Sequence, residues 1–442
     1  TLLLLSLTGF NLALELSLEA SMLFEPVVVL GALGLCVLIG LLSGLYPSFY
    51  LSSIAPTQAI YGSFGTSRAG IWTRRALVGC QFVLSIGIVI LTLFMQRQIE
   101  FMRNKDLGFK KENVVTIRMR GGDVLAKLPA FKEELLRSPE VISVSTGQGR
   151  PGSPSGGLYT FEGEDGMEEH NFAVIFAHFG YLETLGFEIV EGRDFDKSFP
   201  SDPGQAVIVN ETLARFMGWE DPIGKRVKQF TNLDGQVIGV VKDFHFASLH
   251  NRIEPILIRM IAQPMGSLFV RLRGNDLVRT MGFLEDRWAE LNPNRPFIYS
   301  FLDEAFDRQY DADRRQNRLV QVFSVMCILI SCLGLLGLSS FTALRRTKEV
   351  AIRKVLGASS AQIVLILFRE IFALIVLATV VAIPVSLLFI QMWLGKFAYQ
   401  TGISPILFIA TGVGAVLVAF LTASFHSMKA ALSNPTDNLR YE

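Results

Sequence analysis

The sequence reads as a membrane α-helical bundle with one large α+β domain inserted outside the membrane. Three observations carry that reading: the composition, five long apolar runs, and the division of charge along the chain. Half of the 442 residues are hydrophobic and only 18% are charged. A soluble domain carries about 25% charge. The net charge of +1 is uninformative until it is divided. Residues 98–314 hold 26 Lys and Arg against 33 Asp and Glu, and the remainder holds 15 against 7. An acidic polar block therefore sits in a basic apolar frame, with no basic face for nucleic acid. Cys36, Cys80, Cys327 and Cys332 all fall in apolar runs. The polar block has no cysteine, so it must stand on its own core, and at roughly 200 residues it is long enough to do so.

A membrane-crossing helix needs about 20 mostly apolar residues. Runs 27–45, 76–95, 320–343, 371–393 and 405–428 qualify. The first continues past Tyr46-Pro47 towards residue 51 with an expected kink. The fourth contains Pro384, which neighbouring helices make tolerable in lipid. Orientation follows from Lys and Arg in short loops. Loop 52–75 carries Arg68, Arg74 and Arg75; loop 344–370 carries Arg345, Arg346, Lys348, Arg353, Lys354 and Arg369. The tail carries Lys429 and Arg440, loop 394–404 only Lys396, and residues 1–26 no basic residue. These loops predict a cytoplasmic C-terminus and an outward-facing block 98–314. The apolar residues 1–10 lack the basic region of a signal peptide and read as the end of a sixth span, so the chain is expected to be a fragment of a longer protein.

The ends of the first and last spans look alike, 49–60 against 428–439: an amphipathic extension, then Pro56-Thr57 and Pro435-Thr436. The similarity predicts an internal repeat of span, outer domain and three spans, with coincidence of a common helix stop as the alternative. Within the block, strands are expected at 114–119, 141–146, 266–273 and 297–302, with helices at 123–137 and 275–291. Two βαβ halves would thus bracket an insert at about 150–262. The insert is expected to hold strands at 171–178, 206–210 and 236–241 and a helix at 211–218. Polar helical stretches 98–105 and 303–318 would run directly into spans as stalks.

Catalytic signals are weak. Gly218 to Lys225-Arg226 resembles a phosphate loop, but its spacing is one residue long and Arg226 replaces the metal-binding hydroxyl. His245 and His250 lie five apart, not at the i,i+4 spacing of a metal pair. No catalytic or metal residue is assigned, and the substrate-binding residues stay open. Arg369 and Glu370, at the edge of the fourth span, read as interfacial anchors rather than coupling-ion chemistry. Gly40/Gly44 and Gly334/Gly337 suit close helix packing.

One segment stands out. Residues 348–357, Lys348-Glu349-Val350-Ala351-Ile352-Arg353-Lys354-Val355-Leu356-Gly357, fit a short helix stopped by glycine. Ala351, Ile352, Val355 and Leu356 share one face, and Glu349, Arg353 and Lys354 the other. Such a helix can lie on the membrane or dock in a partner's groove, or it can be an ordinary positive-inside loop.

This segment, continuing through Pro384 to Trp393-Leu394-Gly395-Lys396-Phe397-Ala398-Tyr399, resembles the C-terminal part of FtsX-like/MacB-like ABC transporter permeases. Arg74-Arg75, Gln81-Phe82 and Met102 to Phe109 resemble the approach to that family's outer domain. Val209-Asn210-Glu211, Pro222-Ile223-Gly224-Lys225 and Val237 to His250 resemble its MacB-like periplasmic core. Phe10-Asn11 and Gly44 to Ser53 resemble the end of a first unit in an eight-span, two-unit subfamily.

The resemblance implies this division: 1–61, the end of a first permease unit with one full span (27–51); 62–75, a cytoplasmic linker; 76–97, a span; 98–314, the extracytoplasmic MacB-like core in two subdomains; and 315–442, an FtsX-like domain with spans 320–343, 371–393 and 405–428. It also implies a bacterial inner-membrane permease subunit that is not itself an enzyme. A cytoplasmic ABC ATPase dimer would dock on Lys348, Glu349, Ile352, Arg353, Lys354, Val355, Leu356 and Gly357. ATP and Mg would be used by that partner, and no cofactor would be bound by this chain. Besides the lipid bilayer, an extracytoplasmic adaptor or substrate protein is a further candidate partner, and nucleic acid is not. The competing reading is a membrane-anchored sensor or scaffold without ATP coupling; an ATPase that co-purifies would separate the two.

Overall fold

The computed structural model describes residues 7–9, 11, 19–52, 68–119, 121–148, 155–163, 166–229, 233–263 and 266–432. The expected repeat (49–60 and 428–439) falls mostly outside them. The chain divides into a helical unit, Thr1–Gln98, Asp313–Leu394 and Gly402–Glu442, and a globular unit, Ile99–Ala312 with Gly395–Thr401.

The helical unit is built from α1 (Pro26–Ser52), α2 (Arg68–Asn104, whose last turns pass into the globular unit), α8 (Asp311–Arg345), the short α9 (Thr347–Val355), α10 (Ser360–Leu394) and α11 (Pro405–Leu432). Five apolar stretches in these helices are long enough to cross a membrane. On α2 the buried residues Val78, Phe82, Ile86, Ile90 and Phe94 recur every fourth position. This spacing puts them on one face. They pack with Leu335 of α8, Ile371 and Ile375 of α10, and Phe408 and Ala419 of α11. The opposite faces carry Leu84, Leu333, Leu377 and Leu421, all more than half exposed. Helices apolar inside and outside alike suit lipid as the solvent. The hydroxyls of Thr92, Ser386 and Thr411 return to carbonyls four residues back, which satisfies them without water. Gly334 admits Gln81, whose Oε1 would lie 2.5 Å from a Cβ placed there. Gly40, Gly44 and Gly337 meet nothing within 4 Å, so the expected close packing appears only at Gly334.

The globular unit has a two-part sheet. β1 (Val114–Arg118), β2 (Val141–Gln148), β10 (Ser267–Leu272) and β11 (Tyr299–Phe301) lie in the order β11-β1-β10-β2, antiparallel throughout. The crossovers are α3 (Gly122–Leu136) and α6 (Leu277–Leu291). This is a split βαβ layer. Val115, Ile117, Leu268 and Val270 meet Phe131 and Leu135 of α3 and Leu284 and Trp288 of α6 in its core.

Between β2 and β10 the chain builds a second subdomain. It contains β3 (Ser155–Gly163), β4 (Gly166–Ala177), α4 (Tyr181–Leu185), β5 (Ile189–Gly192), β6 (Ala206–Asn210), α5 (Glu211–Phe216), β7 (Arg226–Gln229), β8 (Leu233–Val241) and β9 (Ile256–Met260). Strands β4-β3-β7-β8-β6-β9 close on themselves because β9 pairs back on β4. Closure removes free edges. Tyr159, Phe161, Val207, Val227 and Leu257 fill the interior. β2 hands the layer over to this barrel at Gly147↔Ala177. A Cβ on Gly147 would sit 2.6 Å from the buried Tyr181 ring, so that crossing needs glycine. After β11, α7 (Leu302–Asp307) and a 3-10 turn, Arg308–Tyr310, lead into α8.

Asn210 pins the barrel at the start of α5. Its Oδ1 accepts from Leu213 N–H at 3.0 Å and Ile256 N–H at 2.9 Å, and its Nδ2 donates to Glu254 O and Asp243. It is fully buried. Asn210→Ala strands two backbone donors and is expected to cost about 3 kcal/mol, on the order of 10 °C in Tm for a unit of this size. Thermal unfolding of the detergent-solubilised chain, followed by tryptophan fluorescence, checks it; an unchanged Tm contradicts the assignment.

Candidate functional site

The segment singled out at 348–357 forms α9, and its C-terminal end is fixed by local chemistry. Gly357 has φ +92. Its N–H donates to Lys354 O at 3.1 Å, and Ala358 N–H to Arg353 O at 2.9 Å. That pair of bonds is a Schellman stop, which glycine permits. Ser359 then caps α10: Gln362 N–H points to Ser359 Oγ at 3.4 Å, and Ser359 N–H donates to Gln362 Oε1 at 3.0 Å. This reciprocal capping box and the packing of Val350 and Ala358 on buried Ile363 staple α9 to α10.

Of the apolar residues expected on one face, Ile352, Val355 and Leu356 are 55%, 67% and 80% exposed. Glu349 pairs with Arg353 at 2.8 Å, one turn away, and with Arg346 at 3.8 Å. The charged face is thus partly spent on α9 itself, and the free feature is the aliphatic triplet. The side chains of Lys348 and Ala351 lie outside the described residues.

A second constellation lies in the globular unit. The 237–250 motif holds β8 and then leaves the sheet as a chain of contacts. Asp243 accepts from Thr212 N–H and Thr212 Oγ1, both at 2.8 Å, and its own N–H donates to Glu211 at 2.9 Å. Val209-Asn210-Glu211 and the 237–250 motif are therefore one hydrogen-bonded structure. Beyond it, His245 N–H donates to Leu107 O at 2.8 Å, and Leu249 N–H to the Tyr310 hydroxyl at 3.0 Å. Phe244, Phe246 and Leu249 are buried.

The loop Gly395–Thr401 completes this junction. Ala398 N–H donates to His250 O at 3.1 Å. The His250 ring stacks on Phe397 at 4.4 Å and faces Tyr310 at 6.2 Å. His245 meets Tyr399 edge-on at 4.7 Å, and Lys105 Nζ lies 4.5 Å from that ring. Two motifs more than 140 residues apart, 237–250 and 393–399, thus touch each other. Tyr310 and the 397–399 contact had no sequence signal beyond their own motifs, because spacing along one strand says nothing about a partner from another loop.

Burial sets the charge state here. His245 is pushed down to about 4 from 6.5 by burial first and Lys105 second. Asp194, elsewhere in the unit, is pushed up to about 6, chiefly by burial. Segment 218–226, the phosphate-loop lookalike, leads into β7: Trp219 Nε1 donates to Glu162 O at 2.7 Å, and Gly224 N–H to Val237 O at 2.8 Å.

These features define the class: a multi-span membrane protein with an inserted α+β domain whose anchoring segments converge. The family follows from comparison. Residues 82–277 match the MacB-like periplasmic core domain, and residues 321–435 match the FtsX-like permease C-terminal domain. The chain belongs to the FtsX-like/MacB-like permeases. Among curated relatives, a macrolide export ATP-binding/permease protein MacB of Bdellovibrio bacteriovorus is 22% identical over 272 residues, 57% of this chain and 41% of the relative. The MacB of Bartonella quintana is 23% identical over 200 residues, 41% of this chain and 29% of the relative. The chain spans about two fifths or less of the length of these relatives. Similar solved structures include the periplasmic region of MacB from Actinobacillus actinomycetemcomitans, with TM-score 0.34, 16% identity, 47% of this chain and 97% of that one. The extracellular domain of the noncanonic ABC-type transporter YknZ from Gram-positive bacteria gives TM-score 0.30 at 18% identity, with 42% of this chain and 98% of that one. The triplet on α9 and the 397–399 loop fall in the FtsX-like match, and His245 and His250 in the MacB-like match.

The junction carries a pH signature. His245 has a lower pKa folded than unfolded, so the unfolded chain binds the extra proton, and stability present above about pH 6.5 is lost as pH falls towards 4. Asp194 acts with the opposite sign, gaining stability as pH falls below about 6, so the readout is a difference. His245→Phe keeps the ring contact with Tyr399 and removes the titration. Its Tm should fall less than the wild-type Tm between pH 7 and 4.5; parallel Tm curves contradict the burial of a neutral imidazole.

Proposed function

We propose that this chain is the permease subunit of an ABC transporter, and that it passes the motion of a separate cytoplasmic ATPase dimer to its periplasmic core domain. The observation that carries the reading is the Ile352, Val355 and Leu356 triplet, held out on a helix that is stapled to α10 at its C-terminal end. A short rigid helix with an unpartnered aliphatic face suits a partner's groove. Fully covering each side chain contributes about 1.5–3 kcal/mol, enough for a specific contact when three act together. The names of the curated relatives, which join ATP-binding and permease in one protein, support the same pairing.

In this reading α9 and the C-terminus face the cytoplasm of the bacterial inner membrane, as the loop charges require. ATP and Mg belong to the partner, and this chain catalyses no reaction. The ATPase opens and closes, α9 moves, and the helices it is stapled to move with it. The globular unit receives that movement where residues 107, 310 and 398 meet segment 243–250. Substrate is moved or released by a change of shape in the periplasm, and an adaptor or substrate protein acts there. The class of export cargo named for the relatives, macrolides, is a candidate for this chain as well.

Ile352→Asp and Leu356→Asp place a carboxylate in the proposed apolar contact, and an unpaired charge there costs several kcal/mol. Wild-type chain is expected to co-purify with its ATPase and to alter its hydrolysis rate. The Asp variants should lose more than tenfold in affinity, since about 1.4 kcal/mol already corresponds to tenfold. Unchanged co-purification and unchanged rate in both variants contradict the docking site.

A further inference from the structure

Glu370 lies on α10, where sequence alone read it as an interfacial anchor beside Arg369. Its partners are instead within the protein. One carboxylate oxygen accepts from Arg75 of α2 and the other from Arg346, the residue between α8 and α9. Arg346 also reaches Glu349 at 3.8 Å, and Glu349 holds Arg353 at 2.8 Å. Five charges of alternating sign therefore run from α2 through α10 to the last turn of α9. Beside them, Arg74 lies 4.3 Å from the Phe341 ring of α8. Arg75 and Glu370 stand at an apolar cleft of about 510 Å³, lined by Trp72, Ala76, Leu338, Leu374 and Leu377 among others.

We propose that Glu370 is a positioning residue that keeps α9 in register with α2 and α10. The geometry concentrates this role on one group. Arg75 and Arg346 come from different elements and share a single carboxylate, so removing it leaves two guanidiniums facing each other beside an apolar wall. The three side chains are about a third or more exposed, so water screens part of the repulsion, but the two guanidiniums lose the one carboxylate that offsets it. The Schellman stop and the capping box fix α9 to the start of α10 at its C-terminal end. The Arg346–Glu370 pair fixes its N-terminal end to the body of α10, and Arg75 ties both to α2. A helix held at both ends moves as a unit with what holds it, whereas a helix held at one end pivots. The proposal deepens the functional reading above and rests on it only for what moves α9.

The test uses the full chain in lipid nanodiscs with the four native cysteines replaced by alanine. Spin labels on Ile352→Cys of α9, more than a turn from the fixed C-terminal end, and Leu77→Cys of α2, both more than half exposed, report the α9–α2 distance by pulsed electron resonance. The parent should give one narrow distance distribution. Glu370→Gln should broaden it, and Glu370→Asp, which keeps the charge, should restore most of it. Arg346→Gln leaves the Arg75–Glu370 pair neutral and the fold least disturbed, and it should broaden the distribution as Glu370→Gln does. A Glu370→Gln or Arg346→Gln distribution that superimposes on the parent overturns the proposal. A second arm adds the ATPase to unlabelled chains in which Leu77, Ile352, Val355 and Leu356 are all kept. Both Gln variants should still bind it, because the Ile352, Val355 and Leu356 face is untouched, but should lose the effect on its hydrolysis rate. If the parent binds no ATPase, the functional reading falls, and the distance measurement still decides the role of Glu370.

Discussion

The stretches by which the chain enters and leaves the globular unit all contact one short segment of it, around His250. The chain crosses between the two units after Gln98, after Ala312, and on either side of Gly395–Thr401. Each crossing segment ends on the same short stretch: the Leu107 carbonyl on His245, the Tyr310 hydroxyl on Leu249, and Ala398 on His250. The ring stack of Phe397, His250 and Tyr310 then binds the loop and the start of α8 to each other. Backbone hydrogen bonds fix position more tightly than apolar contact, because they are directional. A hub made of them resists local distortion.

The far side of that hub is a closed barrel, and its closure matters for the same reason. An open sheet can shear between strands. A six-stranded ring in which β9 returns to β4 must move as a body or lose a row of hydrogen bonds. Asn210 and Asp243 join the end of β6, the start of α5 and the 243–250 stretch in one network. The motifs that resemble the MacB-like core are in this respect parts of the framework that holds the fold.

Much of the architecture was legible in the sequence, and the reasons for the remainder are physical. The apolar runs announce themselves because lipid requires some 20 uninterrupted residues. The βαβ halves were visible because α3 and α6 carry a periodic buried face and β1, β2 and β10 are short apolar runs rich in β-branched residues. Strands β3, β5, β7 and β9 were missed. β9 is buried at every position, as β6 is, so alternation marks neither. β3 opens with Ser155-Gly156-Gly157, which reads as a turn, and β5 and β7 are only four residues long. The α9 segment was found in place, but the Glu349–Arg353 pair that occupies part of its charged face was not, since Arg353 could have faced a partner as readily as Glu349. Glu370 was noticed only as an interfacial anchor: its partner Arg75 is nearly 300 residues away, and no local pattern encodes such a pair. Arg193 and Asp202, which close a loop through two bonds at 2.7 and 2.8 Å, left no periodic trace either.

The central claim is that force generated at one end of this protein arrives at the other. Hydrogen–deuterium exchange of the full chain in complex with its ATPase, compared with and without ATP under conditions that block hydrolysis, tests it most directly. The account predicts that nucleotide held entirely by the partner changes amide protection at 243–250 and 395–401. Protection there that is identical in the two states, while exchange at α9 responds to nucleotide, would contradict it.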